Sequence, residues 1–263
     1  MSVRSTPVRI ARLAYLRDLT SELVSREVKV RYKGSVFGAA WSLMLPLAQL
    51  LVFTLLFRAA LKLDIPNYPL FVFVGVLAWN WFQSSVLTAA SAIVDNRELV
   101  RRPGFPTLVL PAVTVVTTLV HYLLALPVLL LFTLLSGVPL TYHALALLAV
   151  IAVQFVLTLG LAYLVASVQV LFRDVQHLLG VVMTLAFYLT PVFYSPASVP
   201  ERYRLIYELN PVARLLDASR AVVLEGRAPH WSSLLIVAAI GVVLLALGLT
   251  VFRRTSARFA EEL

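Results

Sequence analysis

Chemistry-bearing side chains are scarce in this chain and fall in a few short runs. Four basic residues, Arg26, Lys29, Arg31 and Lys33, lie within eight positions of SREVKVRYKGS. A second run, Asp95, Asn96, Arg97, Glu98, Leu99, Arg101 and Arg102, packs five charges into DNRELVRR. Clustered guanidinium and ammonium groups suit phosphate or carboxylate partners, arginine through paired N–H donors. Covalent chemistry is poorly provided for. No lysine is followed by Ser or Thr, so the G-x-x-x-x-G-K-[ST] phosphate loop is absent, and neither H-E-x-x-H nor G-x-S-x-G occurs. His121, His143, His177 and His230 show no metal-ligand spacing and read as packing or interfacial residues. The chain has no cysteine, which removes disulfides, thiolate metal ligands and a thiol nucleophile. Arg173-Asp174 is the tight candidate for an enzyme-like constellation at an interface, and a helix-end anchor accounts for it more simply than catalysis does.

These runs are set in a very apolar chain. Its 263 residues are 60% hydrophobic and 13% charged, and the mean hydropathy is +0.90, a composition that belongs in a bilayer. The net charge of +9 therefore reads as loop arginine and lysine holding one side of a membrane, not as a nucleic-acid surface. The first 33 residues contain eight basic and three acidic side chains and lack the apolar core of a cleavable signal peptide, so the first membrane helix is expected to serve as the insertion signal.

A bilayer crossing needs about 20 apolar residues. The pattern predicts an all-α membrane protein with six spans at about 36–57, 69–93, 107–135, 143–171, 175–194 and 231–252. Seventy residues between Arg102 and Arg173 carry no Asp, Glu, Lys or Arg, enough for two spans turning at Ser136-Gly137-Val138-Pro139. The N-terminal segment, the 95–102 loop, Arg173 and the tail together hold fifteen basic residues, against Arg58 and Lys62 in the opposite short loops. That asymmetry places both termini in the cytoplasm. The longer connection after span five has five arginines and four acids, and long translocated segments weigh less in this rule. The domain division is then a cytoplasmic interface segment at 1–33, a transmembrane domain at 34–252 and a cytoplasmic tail at 253–263.

Two amphipathic additions flank the spans. Leu13, Leu16, Leu19, Leu23 and Val24 share one helical face, while Asp18, Glu22, Ser25 and Lys29 share the other. This predicts an interfacial helix whose arginines suit anionic headgroups, and the same surface could dock a cytoplasmic partner. The second addition, at 198–226, predicts a helical hairpin in or on the outer leaflet. Ser198 and Glu201 have capping-box spacing, Asn210-Pro211 makes a cap and first-turn pair, and Gly226 ends the second helix. An ordinary extracytoplasmic loop packed on the bundle fits the residues equally well. The predicted spans contain no central Asp, Glu, Lys or Arg, which weighs against an ion-coupled transporter. Gln49, Gln83, Gln154 and Gln169 read as interhelical glue.

The run Arg26-Glu27-Val28-Lys29-Val30-Arg31-Tyr32-Lys33-Gly34-Ser35, followed by Gly38, Trp41 and Pro46, resembles the start of the type-two ABC exporter permeases that move lipid-linked O-antigen polysaccharide or teichoic acid. The resemblance continues in order through Asn96 to Arg102 with Phe105-Pro106, Phe172-Arg173-Asp174-Val175, Thr190-Pro191-Val192-Phe193-Tyr194, and Asn210-Pro211 with Arg220. It implies a homodimeric permease with two separate ATPase subunits that bind the ATP and Mg. It also implies a coupling helix between spans two and three and re-entrant helices between spans five and six. The implied function is export of undecaprenyl-diphosphate-linked glycan across the bacterial inner membrane, with no catalytic residue, metal or cofactor in this chain.

A sugar route needs aromatic faces and neutral hydrogen-bonding groups. Phe53, Phe57, Trp79, Trp81, Phe82, Tyr163, Phe187, Tyr188, Phe193 and Tyr194 are the candidates, with belts or core packing as the alternative. Charge alone suggests the N-terminal collar as the receiver of the lipid diphosphate. Three other functions fit the composition: a lipid or drug permease of the same superfamily, a membrane enzyme of lipid-linked glycan metabolism, and a non-transporting scaffold.

Overall fold

The computed structural model describes residues 6–34, 41–56, 65–195 and 199–259, and the regular structure among them is all helical, with no strand. In chain order the helices are α1 (Thr6–Tyr32), α2 (Trp41–Phe53), α3 (Tyr68–Asp95), α4 (Arg97–Val100), α5 (Val109–Leu135), α6 (Ala146–Leu171), α7 (Val175–Leu189), α8 (Arg204–Leu209), α9 (Pro211–Val223) and α10 (Trp231–Thr255).

Four of them, α3, α5, α10 and α6 with its leading 3-10 turn from Tyr142, are long and apolar enough to cross a bilayer. Their bounds follow the sequence expectation within a few residues. Gly137, at φ 73, supplies the left-handed turn after α5, a conformation that costs glycine little. Two apolar segments are shorter: Leu43–Leu56, which includes α2, and α7. α7 stops at Leu189, earlier than the 194 expected from hydropathy, because Pro191 has no N–H to continue the ladder and drives Thr190 to an extended ψ of 136. Most of the loop between α2 and α3, with Phe57, Arg58 and Lys62, lies outside the described residues, as do Ser35, Gly38 and Ser198.

α3 is the hub: 19 of its 28 residues are buried, and it packs against α2, α5, α6, α7 and α9. Amides tie this hub to its neighbours. Gln154 donates to the Ala78 carbonyl at 2.8 Å, and Asn80 donates to Gln49 at 2.8 Å, joining α6 and α2 to α3. The other two glutamines work locally, Gln83 accepting from Trp79 within α3 and Gln169 bonding the Arg173 carbonyl.

The closest helix pair is α6 with α10. A Cβ at Gly160 would lie 2.6 Å from the Leu245 nitrogen, and one at Gly248 would lie 2.5 Å from the Gly160 oxygen. Hydrophobic burial gives little drive between helices in lipid, so this backbone approach supplies the packing instead. Gly160→Val or Gly248→Val should lower the unfolding temperature of the detergent-solubilised protein by several degrees. Gly180→Ala, where no atom lies within 4 Å, should leave it near wild type.

Candidate functional site

The break after α7 is the most heavily bonded irregular segment. Once the helix stops, the Pro191 and Val192 carbonyls face the protein interior without a helical partner, and buried carbonyls of this kind must be satisfied. One side chain takes both. Arg220, on α9, donates from Nη1 to Pro191 O at 2.8 Å and from Nη2 to Val192 O at 2.7 Å. The guanidinium is 3% exposed and sits over the Phe71 ring, 3.5 Å from its centroid, a cation–π contact in a dry setting. Burial pulls the Arg220 pKa down to about 10 and the Asp217 carboxylate on the same helix opposes that fall, so the charge persists at neutral pH.

Three further contacts close the grip. Tyr68 donates to the Phe193 carbonyl at 2.9 Å. Asn210 uses both ends of its amide: Oδ1 accepts from the Val212 and Ala213 nitrogens, capping α9, while Nδ2 donates to Thr190 Oγ1 at 2.9 Å. Gly75 leaves the space in which these groups meet, since a Cβ there would stand 2.7 Å from Val192 O and 2.8 Å from Arg220 Nη2. Pro211 opens α9 at its first turn. The sequence motif Asn210, Pro211 and Arg220 is thus joined to Thr190-Pro191 in space.

The candidate aromatics divide into three places. Phe53, Trp79, Phe82, Phe187, Tyr188, Phe193 and Tyr194 form one continuous chain of ring contacts, with centroid separations from 5.0 to 6.2 Å. Within it Trp79, Phe82, Phe187 and Phe193 are buried inside the single subunit, whereas Tyr188 is 59% exposed. The Tyr194 hydroxyl lies 2.9 Å from that of Tyr207 on α8. Trp81 belongs to a separate stack with Tyr122, at 5.0 Å. Tyr163 lies elsewhere again, donating to the Leu108 carbonyl and packing on Phe252. Phe57 lies outside the described residues.

The charged turn between α3 and α5 contains a single helical turn, α4, followed by Arg101 as its cap. The chain leaves the helix at Arg101 and passes Gly104 in the left-handed region. Asp95, Arg97, Glu98, Arg101 and Arg102 are exposed, Asn96 and Leu99 are half-buried and Val100 is buried. Asn96 anchors the turn by donating to the Ala92 carbonyl. Leu99 and Val100 pack into a cluster with Phe105, Leu108, Phe252 and Phe259, so Phe259 after α10, fully buried, supports the turn from beneath.

The basic collar docks on α5. Leu16, Leu19, Leu23 and Val24 pack with Val109 and Val113, which realises the apolar face predicted for α1; the Leu13 side chain lies outside the described residues. Glu27 accepts from Thr117 at 3.0 Å, and Arg31 bonds His121 Nδ1 at 3.0 Å. These contacts advance together along both helices, so α1 accompanies α5 over Val109 to His121, about 18 Å of helical rise. Arg26, Lys29 and Lys33 are exposed.

Residues 19–224 match the family of the ABC-2 type transporter. The chain belongs to that family. Among its relatives is the O-antigen export system permease protein RfbA of Myxococcus xanthus, 38% identical over 97% of this chain and 100% of the relative. A protein of the same name from Klebsiella pneumoniae is 31% identical over 95% and 97% of the two chains. The polysialic acid transport protein KpsM of Escherichia coli is 23% identical over 88% and 91%.

For this ABC-2 chain, the motif residues 190–194, 210–211 and 220 mark one node, but their partners on α3 are not part of any sequence run. Tyr68, Phe71 and Gly75 fall three and four residues apart, a spacing that marks one helix face and was the available signal. Arg220→Leu would leave two buried carbonyls without donors, at a cost of about 2–5 kcal/mol. Thermal unfolding in detergent should show a clear loss, and Arg220→Lys, which keeps the charge but loses the two-pronged geometry, should fall between the two.

Proposed function

We propose that this chain is the membrane-spanning subunit of an ATP-driven exporter of polysaccharide, with undecaprenyl-diphosphate-linked O-antigen or teichoic-type glycan as its substrate. The observation that carries the proposal is the end-to-end identity of 38% with a protein named as an O-antigen export permease. In this reading the segments around α2 and α7 complete six spans with the four long helices, both termini face the cytoplasm and α8–α9 form an outer hairpin. The chain acts in the bacterial inner membrane as a homodimer, and two partner ATPase subunits bind ATP and Mg.

The exposed faces support a paired arrangement. Only Met183 and Phe187 are buried among the 15 residues of α7, and on α2, which meets α7 through Phe53 and Phe187, Leu45, Leu51 and Val52 are exposed, as is Leu55 just beyond it. On α7, Gln176, His177, Gly180 and Thr184 border a shallow groove and continue at four-residue spacing to Tyr188. A second copy facing this stripe would enclose a route lined by neutral hydrogen-bonding groups and an aromatic ring, which a sugar chain can pass without being held by fixed charge. Tyr188 is thereby the strongest of the pore candidates, and the buried rings set its position.

The exposed charges of the 95–102 turn are the surface offered to the ATPase. Glu98 and Arg101 are three residues apart and neither contributes to the ion pairs formed among the described residues. Exchanging them, Glu98→Arg with Arg101→Glu, keeps the net charge and reverses the pattern. The double variant should reach the membrane at wild-type level and lose most of its ATPase binding or export. Wild-type export at equal yield would show the turn to be a connector only. Tyr188→Ala should lower glycan export several-fold while basal ATPase activity stays near wild type, and unchanged export would remove the stripe from the route. Sidedness is read by single cysteines at Arg202 and Ala257, both exposed in a chain without native cysteine. An impermeant thiol reagent on intact cells should label position 202 and spare 257; the reverse would invert the topology.

A further inference from the structure

A cavity of about 520 Å³ opens between α8, the first two turns of α9 and the start of α10, a size within the range of small-molecule sites. Six side chains in its wall carry polar atoms: Arg204, Tyr207 and Glu208 from α8, Arg214 and Asp217 from α9, and Ser233 from α10. Two guanidiniums face two carboxylates, so the formal charges cancel, yet the groups do not pair with one another. Arg214 donates from Nε to the Glu208 carbonyl at 2.6 Å, which ties α8 to α9 and leaves its terminal nitrogens for other acceptors. Arg204 reaches only Glu201, at 3.8 Å. Neither the Glu208 nor the Asp217 carboxylate belongs to an ion pair among the described residues. Desolvation by the surrounding helices pushes the Asp217 carboxyl up, with Arg220 opposing, so this acceptor is short of donors. An anion entering here would meet two carboxylates, and a cation would meet two guanidiniums. Adjacent hydroxyls on a sugar ring fit both, because one hydroxyl can donate to a carboxylate while its oxygen accepts from a guanidinium. The position of the cavity agrees with that chemistry. Tyr207 meets the Tyr194 ring edge-on at 6.0 Å, and contacts of 5.1 and 6.2 Å continue through Phe193 to Tyr188. The cavity therefore lies at the far end of the ring chain that begins on the exposed stripe of α7.

We propose that this cavity binds an uncharged sugar unit of the polysaccharide beyond the α7 stripe, with Glu208 and Asp217 accepting from ring hydroxyls and Arg204 and Arg214 donating to them. That the ligand is the exported glycan, and that the cavity faces outward, rest on the function and topology proposed above; the hydroxyl-binding chemistry does not. A hold at this point opposes the return of a chain that has already emerged.

The test is thiol footprinting of the full-length protein in phosphatidylcholine nanodiscs, without ATPase. Ser233→Cys places the sole thiol of the chain in the cavity wall, and its rate of reaction with a hydrophilic maleimide reports occupancy. The probe is the water-soluble polysaccharide released by mild acid from the producing strain's own lipopolysaccharide. It should slow the reaction at position 233 several-fold and leave unchanged the reaction of Tyr142→Cys, a position 80% exposed and outside the cavity. Glu208→Gln or Asp217→Asn, each added to Ser233→Cys, should raise the concentration for half-protection about tenfold, the range lost with one charge-assisted bond. Thermal unfolding checks that each variant is folded, and Glu208, exposed on α8, carries the test if Asp217→Asn is not. Protection should persist in about 1 M salt, where the screening length falls to about 3 Å, because the ligand is bound through hydroxyls. No protection at position 233, equal slowing at position 142, an unchanged half-protection in the folded carboxylate variants, or loss of protection in salt would each overturn the proposal. The exporter reading is tested apart from this, by the surface polysaccharide of cells that lack this chain. Its loss there, together with an unprotected position 233, rejects the site alone; surface polysaccharide at the wild-type level rejects the exporter reading and, with it, this role of the cavity.

Discussion

Two hydrogen bonds from one buried guanidinium hold the irregular part of this protein together. α7 ends within an otherwise helical, apolar body, and the carbonyls freed at Pro191 and Val192 have no water to turn to. Arg220 satisfies both, and because it comes from α9 the same bonds fix the α8–α9 segment against α7 and α3. An arginine buried among hydrophobic side chains is costly unless its donors are used and its charge is compensated. Here two carbonyls and the Phe71 face offset most of that cost, with the Asp217 carboxylate adding to the support of the charge, while Nε stays buried without a partner. Asn210 and Tyr68 bind neighbouring atoms of the same break, so the chain just after Tyr188 is held from α3 and α9 at once.

A second set of constraints holds the opposite end. Phe259 and Phe252 pack edge to face at 5.1 Å, Phe252 packs on Tyr163 at 5.4 Å, and Tyr163 bonds the Leu108 carbonyl. The charged turn therefore rests on a stack that reaches into α6 and α10, and α10 is locked to α6 through Gly160 and Gly248. Glu98 and Arg101 are thus exposed charges carried on a packed body.

The long spans were legible in the sequence because hydropathy alone decides them: seventy uncharged residues permit little else than α5, α6 and their turn at Gly137. The cap at Asn210-Pro211 was legible for a local reason, since an amide oxygen and a proline preorganised for the first turn act within three residues. The ends of α7 and the depth of α1 were not. Hydropathy counts Thr190 to Tyr194 as span, whereas the stop is a matter of one missing N–H and of a partner thirty residues away. α1 has the amphipathic face of a surface helix, but which surface it meets depends on Val109 and Val113 in α5. Ring type could not separate Trp79, buried 5.8 Å from Phe187, from Tyr188, exposed beside it, because a transmembrane core and a sugar route use the same residues.

ATP hydrolysis in proteoliposomes holding this chain with its partner ATPase, measured with and without purified undecaprenyl-diphosphate-linked glycan, bears most directly on the assignment. Stimulation by the glycan that requires this chain, and that free glycan without the lipid does not reproduce, is the expected result. Hydrolysis indifferent to the lipid-linked glycan, with no glycan moved across the bilayer, would contradict it.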